Sequence, residues 1–175
     1  MNQVLLFAPL YPPYKGGGTV YFSTITDSLS DTNRFFLLTA YHPKEDLITS
    51  EEWGQIYRVI PRLEQFPRWT RLIMEFLAAL IVSIAIILRH RIDISHAHSS
   101  SYATPGVILA SLLTRTPIVF DCRDTDFPRR IVTSFLGSIW LSCTPEIDEI
   151  LADHGVASER IIRAPVTNPE YTTVY

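Results

Sequence analysis

Short, continuously apolar runs recur along the chain and alternate with segments that carry a helical pattern. A run without a polar face predicts a strand buried on both sides, which is typical of parallel sheets covered by helices. This alternation predicts an α/β fold, a Rossmann-like doubly wound parallel sheet of about seven strands with helices on both faces. The predicted strands are residues 4–8, 35–40, 56–60, 92–97, 117–122, 139–143 and 160–164. The predicted helices are residues 20–29, 67–90, 104–114 and 144–154.

Composition excludes several classes of protein. The 175 residues match the length of one domain, residues 1–175, and 47% hydrophobic with 19% charged residues excludes a disordered chain. A net charge of −3 argues against a nucleic-acid partner. Cys122 and Cys143 cannot form a disulfide scaffold, which favours a reducing compartment. No basic stretch precedes the first apolar run, so we expect no signal peptide and a cytoplasmic location.

Polar clusters follow three of the predicted strands at the point where each strand ends. They are residues 15–19, 96–101 and 121–126, after the first, fourth and fifth strands. The usual strand order of this fold class places the first strand beside the fourth, at the topological switch point. Ligands bind in the crevice outside the carboxyl ends of those strands. The sequence therefore predicts a binding site there.

The first cluster contains Gly16, Gly17 and Gly18, with Thr19 as the predicted N-cap of the following helix. Backbone N–H groups without a Cβ, together with the helix dipole, suit a phosphate or a carboxylate. The alternative is a flexible surface loop. The sequence lacks both GK[ST] and GxGxxG, which argues against a P-loop and against a nicotinamide dehydrogenase.

The second cluster carries His96 and His98, which we expect to point to opposite faces of the sheet. One of them is then a packing histidine, while His98 lies at the strand end with Ser99 and can point into the crevice. Opposed side chains make poor metal co-ligands, so no metal site is predicted. A Ser-His-Asp hydrolase is not supported either, because the sequence contains no GxSxG.

The third cluster places Arg123 among the carboxylates of residues 121–126. Arg123 can clamp a phosphate or an acceptor carboxylate, while Asp124 hydrogen-bonds sugar hydroxyls or orients Arg123. The alternative is a solvated loop whose Arg–Asp pair only shapes the backbone.

Residues 72–88 form the longest apolar segment, with Glu75 as its one charge and arginines on both sides. Seventeen residues fall just short of a membrane span, for which about 20 are needed. A core helix sandwiched in an α/β layer is the main interpretation, with a helix that touches a membrane surface and a true span as alternatives.

Taken in order, four motifs resemble the N-terminal domain of the family 4 glycosyltransferases, which have the GT-B fold. They are PLYPPYKGGGT, DISHAHSSSYATPGVILA, TPIVFDCRDTDFP and WLSCTPEIDEILADHGVASERIIRAP. The resemblance covers residues 4–165, and the RD-x-x-FP stretch resembles a subgroup that acts in bacterial and archaeal surface-polysaccharide assembly.

The resemblance implies a retaining hexosyltransferase in which two Rossmann-like domains face each other across a cleft, with no metal and no other cofactor. The N-terminal domain mainly binds a glycan or lipid-linked acceptor, and the C-terminal domain, in cis or in trans, binds the nucleotide-sugar donor. It further implies that Gly16, Gly17 and Gly18 approach the donor diphosphate or the acceptor. It places His98 and the Arg123-Asp124 turn on the cleft wall.

The sequence departs from the family pattern where many relatives have a His-Asp pair, because Arg123-Asp124 stands there. It also lacks the E-x7-E donor-site motif of the second domain, since no two glutamates lie eight positions apart. We therefore expect an acceptor-side half that is inactive alone. The alternatives are a non-catalytic Rossmann-like anion-binding or interaction module, and half of a sugar-nucleotide epimerase.

Overall fold

The computed structural model describes residues 1–15, 17–63, 65–98, 101–123 and 139–164. These residues form one eight-stranded sheet and four α-helices. The strands are β1 (Asn2–Phe7), β2 (Asn33–Ala40), β3 (Ile48–Glu51), β4 (Gly54–Ile60), β5 (Ile94–His98), β6 (Ile118–Cys122), β7 (Ile139–Ser142) and β8 (Ile161–Arg163). The helices are α1 (Gly17–Leu29), α2 (Arg68–His90), α3 (Thr104–Thr114) and α4 (Pro145–Asp153).

The strand order is β3-β4-β2-β1-β5-β6-β7-β8, and every neighbouring pair except β3–β4 is parallel. The predicted fold class is therefore confirmed. So is the expected switch point, because β1 lies between β2 and β5. The carboxyl ends of β1, β5 and β6, which the three polar clusters follow, are consequently adjacent.

Strand β3 was not among the predicted strands. It pairs antiparallel with β4 at the sheet edge, and its four residues are mostly exposed. An exposed edge strand carries no apolar run, so hydrophobic patterning does not detect it. The turn from β3 into β4 requires glycine at position 54, because a Cβ on Gly54 would lie 1.8 Å from the carbonyl oxygen of Phe35.

Two apolar clusters pack against opposite faces of the sheet. The larger one joins strand residues such as Phe7, Phe120 and Trp140 to the helices α2, α3 and α4. The smaller one, which includes Leu6 and Phe22, lies under α1. We call these the α2/α3 face and the α1 face. This division follows from the parallel strands, whose successive residues point to opposite sides.

Helix α2 packs on one side only. Its buried residues contact the sheet and α3, and Gly106 of α3 comes so close that a Cβ would lie 2.4 Å from the carbonyl oxygen of Phe76. On its other side, large apolar residues such as Trp69 and Ile81 are exposed. The expectation of a core helix sandwiched nearly all round is wrong for this outward side. Among the described residues, α2 is the one helix long and apolar enough to cross a membrane by length and composition.

Candidate functional site

Four polar residues at the carboxyl ends of β5 and β6 lie on the α1 face: His96, His98, Asp121 and Arg123. The rings of His96 and His98 lie 6.1 and 5.7 Å from that of Phe22 on α1, measured between centroids. The expectation that the two histidines point to opposite faces is therefore wrong. Residues two apart on a strand share a face, because side chains alternate with a period of two.

Asp121 is the centre of this group. Its carboxylate is buried, and it accepts a hydrogen bond from His96 Nε2 at 3.3 Å and one from Arg123 Nε at 2.7 Å. Burial alone would raise the pKa of Asp121, but the hydrogen bond and charge of His96 and the charge of Arg123 lower it below its ordinary value. Asp121 is therefore ionised at neutral pH.

Arg123 is held from two directions. Asp121 binds its Nε, and its guanidinium carbon lies 3.5 Å from the ring centroid of Tyr21 on α1. The side chain is only 9% exposed, and its buried Nη1 has no hydrogen-bond partner among the described residues. Burial, and then the charge of Asp121, raise the pKa of Tyr21 well above its ordinary value, so the phenol keeps its proton. A buried guanidinium N–H without a partner is a donor available to an acidic ligand.

The N-terminus of α1 contributes a second unpaired donor. Helix α1 begins at Gly17, so Thr19 lies inside its first turn, and the prediction that Thr19 caps the helix is wrong. The hydroxyl of Thr19 is buried and has no hydrogen-bond partner in the part of the chain that the structure describes, and the residue is 6% exposed. A Cβ built on Gly18 would meet nothing within 4 Å, so Gly18 faces open space. This helix end offers backbone N–H groups and a positive dipole to an anion.

His98, the last residue of β5, is buried beside Phe22, and its backbone carbonyl accepts a hydrogen bond of 2.7 Å from the Thr104 hydroxyl. The structure thus brings His98 and Arg123 to the face that carries Thr19. Gly16, Ser99 and Asp124 lie outside the described residues. The roles of all the predicted site residues remain predictions.

The sequence analysis took His96 as a packing histidine and gave no binding role to Asp121 or to Tyr21. The two-residue spacing would have placed His96 with His98, and Asp121 with Arg123, each pair on one face of its strand. The two pairs share a face because the register of β5 and β6 sets His98 beside Asp121. Tyr21 had no comparable signal, because its contact with Arg123 depends on how α1 crosses the sheet. Within the described ranges, no group of three or more His, Cys, Asp or Glu residues is suited to hold a metal ion.

This arrangement suits anion binding better than proton transfer by Asp121. An ionised Asp121 with a lowered pKa is a poor proton donor, and its carboxylate already accepts a hydrogen bond from His96 Nε2. Asp121 also orients Arg123. Unpaired N–H and O–H donors then remain on the α1 face, and they can bind phosphate or carboxylate oxygens.

Comparisons with known proteins agree with the fold. No protein-family model matches the chain, and no curated protein sequence matches it significantly. Sucrose-phosphate synthase from Thermosynechococcus elongatus is similar with a TM-score of 0.68 at 10% identity, over 94% of this chain and 48% of that one. UDP-N-acetylglucosamine 2-epimerase from Rickettsia bellii is similar with a TM-score of 0.67 at 11% identity, over 97% and 46%.

A third solved structure, UDP-GlcNAc 2-epimerase from Neisseria meningitidis bound to UDP-GlcNAc, is similar with a TM-score of 0.63 at 13% identity, over 93% of this chain and 45% of that one. The chain therefore spans less than half the length of each of these three proteins. Identities this low show the fold alone. The chain has the fold of one half of the GT-B proteins that use nucleotide sugars, a glycosyltransferase and epimerases among them.

Proposed function

We propose that this chain is the acceptor-side domain of a retaining glycosyltransferase that moves a hexose from a nucleotide sugar to a glycan or lipid-linked acceptor, in surface-polysaccharide or glycoconjugate synthesis. A second, donor-binding domain, in cis or in trans, completes the site. We place the protein in the cytoplasm, in keeping with its two cysteines, Cys122 and Cys143, which do not form a disulfide.

One observation carries this proposal. Arg123 Nη1 and the Thr19 hydroxyl are both buried and have no hydrogen-bond partner among the described residues, and Tyr21 links Arg123 to the helix that carries Thr19. Leaving buried donors unpaired costs free energy, on the order of 1–3 kcal/mol each. A ligand that carries several acceptor oxygens would recover that cost, and the diphosphate of a nucleotide sugar is such a ligand.

In the proposed reaction, negative charge develops on the leaving diphosphate as its bond to the sugar breaks. The guanidinium of Arg123 and the N-terminus of α1 stabilise this charge by preorganised hydrogen bonds. Asp121 acts through Arg123 and His96 and is a positioning residue. Since the donor site lies mostly on the second domain, the chain alone does not turn over.

A second candidate is half of a sugar-nucleotide epimerase. Similarity to several UDP-N-acetylglucosamine 2-epimerases favours it, including structures solved with UDP or UDP-GlcNAc. The two candidates share a diphosphate-binding role for this domain. They differ in the product, since an epimerase inverts a carbon of the sugar nucleotide without consuming it. A non-catalytic module would bind an anion or nothing at this edge.

The test is a titration of the ¹⁵N-labelled chain with UDP, followed by NMR. We expect shift changes centred on the amides of residues 17–19, and their loss in Arg123→Gln. Arg34→Gln is the matched control, because Arg34 is an exposed arginine near the start of β2, at the opposite edge of the sheet. Unchanged binding by Arg123→Gln would contradict the proposed site. Rapid sugar transfer by the isolated chain would contradict the expectation that it does not turn over.

To separate the candidate reactions, the chain is combined with its donor-binding domain and incubated with nucleotide sugars. Release of nucleoside diphosphate that depends on an added acceptor supports the transferase. An epimerised sugar nucleotide formed without an acceptor supports the second candidate. If neither product forms and Arg123→Gln does not change UDP binding, the result supports the non-catalytic module.

A further inference from the structure

We propose that the outward side of α2 docks on an anionic membrane surface. This inference is independent of the proposed sugar chemistry, since it concerns the α2/α3 side of the molecule rather than the α1 face. It rests on a row of exposed large apolar side chains that we call the α2 stripe. Its members are Trp69, Ile73, Met74, Leu77, Ile81 and Leu88.

The α2 stripe is unusually apolar for an exposed helix face. Trp69 is 74% exposed, Ile81 is 65% exposed, and no charged residue lies between Glu75 and Arg89. The stripe runs for roughly 29 Å along the helix at about 1.5 Å per residue. A continuous exposed apolar surface of this kind marks an interaction site.

The charges at the two ends of α2 favour an anionic membrane as the partner of the α2 stripe. Arg68 lies at one end of α2, and Arg89 and Arg91 lie at the other, all three exposed. Glu75, the one acidic residue of α2, is buried and pairs with Arg71. The outward side of the helix therefore combines apolar residues with exposed positive charge only, which complements acyl chains beneath anionic headgroups.

A second copy of this chain fits less well. Parallel pairing of two α2 helices would place like ends together, and antiparallel pairing would bring Arg68 of one copy beside Arg89 of the other. Like charges meet in both arrangements, because both ends are basic. A bilayer with anionic headgroups has no such conflict.

The helix lies along the membrane surface in this proposal and does not cross it. Its inner side packs on the sheet and on α3 through Ala79, Ser83 and Ile86. A crossing would carry the polar loops and edge backbone of this sheet into the hydrocarbon, where their hydrogen-bonding groups cannot be satisfied. An interfacial helix buries only its outward side.

The experiment is flotation of the 175-residue chain with phosphatidylcholine vesicles, prepared with and without phosphatidylglycerol. We expect binding to the anionic vesicles that weakens as salt is added. In Leu77→Glu/Ile81→Glu, partitioning should fall at least about tenfold, because two charges enter the acyl boundary. In Arg68→Gln/Arg89→Gln, we expect a loss of roughly tenfold or more and a flatter salt dependence.

The matched control is Leu29→Glu/Ile162→Glu, which adds the same two charges at exposed apolar positions away from the α2 stripe. It should bind vesicles within about twofold of the wild type. Circular dichroism checks that each variant is folded. No binding to anionic vesicles at low salt would overturn the proposal, as would unchanged binding by the folded stripe variant. A dimer in sedimentation equilibrium that the stripe variant abolishes would assign the surface to a second copy instead.

Discussion

Strands β5 and β6 present alternate residues to two different environments. On the α2/α3 face, Ala97 and Phe120 are fully buried among apolar side chains, and Phe120 stacks on Trp140 with ring centroids 4.5 Å apart. On the α1 face, the same strands carry His96 and Asp121, joined by a hydrogen bond. One face is packed with apolar groups, and the other holds ionised and unpaired polar groups.

Both faces hold buried polar groups, some hydrogen-bonded and some without a partner among the described residues. Ser95 and Ser111 are buried on the α2/α3 face, and their hydroxyl oxygens are 2.9 Å apart in a hydrogen bond. Thr19 and Arg123 on the α1 face each keep a buried donor without a partner. Ser83 of α2 also has a buried hydroxyl without a partner among the described residues, and the α1 face adds the buried ion pair of Asp121 and Arg123.

The largest effect is expected from Phe120→Ala on the α2/α3 face. Removing a fully buried ring should lower the free energy of unfolding by about 3–5 kcal/mol, through lost transfer energy and a residual cavity. Urea denaturation measures this. Phe66→Ala is the control, since Phe66 is exposed, and it should cost less than about 0.5 kcal/mol. Equal costs would contradict the assignment of the core to this face.

Asp121→Asn tests the buried charge of the α1 face. At pH 7 it should cost about 2–3 kcal/mol, because hydrogen bonds to a buried charged group are lost. The pKa of Asp121 is lowered on folding, so its ionisation stabilises the protein above the ordinary value of 3.8. That contribution is lost as the pH falls through the lower folded-state pKa.

The difference in the free energy of unfolding between wild type and Asp121→Asn should therefore be present at pH 7 and shrink as the solution is acidified below about pH 4. Urea denaturation over this pH range measures it. Asp31→Asn removes the same charge at an exposed position, so its free energy of unfolding should depend on pH much as that of the wild type does. A difference that does not change with pH would show that ionised Asp121 is not the stabilising species.

Gly106→Ala tests the close approach of α3 to α2. The new Cβ would lie 2.4 Å from a backbone oxygen, which cannot move alone. Overpacking should outweigh the helix propensity that alanine gains, for a net loss of about 1–2 kcal/mol. Gly18→Ala on α1, where a Cβ meets nothing within 4 Å, is the matched control and should cost nothing measurable by thermal melting. Equal stability of the two variants would contradict the tight contact.

The smallest stability change, and the most informative, is expected from Thr19→Val. Removing a buried unpaired hydroxyl should leave the free energy of unfolding unchanged or raise it by up to about 1 kcal/mol, while UDP binding weakens. Thr26→Val is the control, because Thr26 is buried on the same helix but is hydrogen-bonded to Ser23 and Tyr11. This variant should lower the free energy of unfolding by about 1 kcal/mol. A similar loss for Thr19→Val would show that its hydroxyl is satisfied.

Local patterning predicted most of the fold. The seven apolar runs correspond to strands, and four predicted helices are present among the described residues. End signals also held at α4, where the Thr144 hydroxyl accepts a hydrogen bond from the Ile147 N–H and Gly155 follows the helix with φ +85°. These features depend on a few neighbouring residues. Strand β3 was missed because pairing with β4, rather than its own composition, makes it a strand.

The sequence predicted where in the fold the candidate site lies, but only some of the residues that form it. The usual strand order of this fold class indicated that the carboxyl ends of β1 and β5 would meet. The role of Arg123 as a clamp stays a prediction, and the structure shows that the carboxylate that holds Arg123 is Asp121 and the ring beneath it is Tyr21. Contacts between α1 and β6 depend on the crossing of a helix over a strand distant in sequence.

The sequence by itself determined the α/β class, the strand–helix order and the edge of the sheet where polar residues gather. These features follow from local properties, namely strand periodicity, apolar runs and helix-end residues, and local properties can be identified from the sequence alone. Only the tertiary structure decided that Thr19 and Arg123 keep unpaired buried donors, and that α2 is apolar on an exposed side. Whether a donor is satisfied or a surface is covered depends on the distances between segments far apart in the chain, which no local pattern contains.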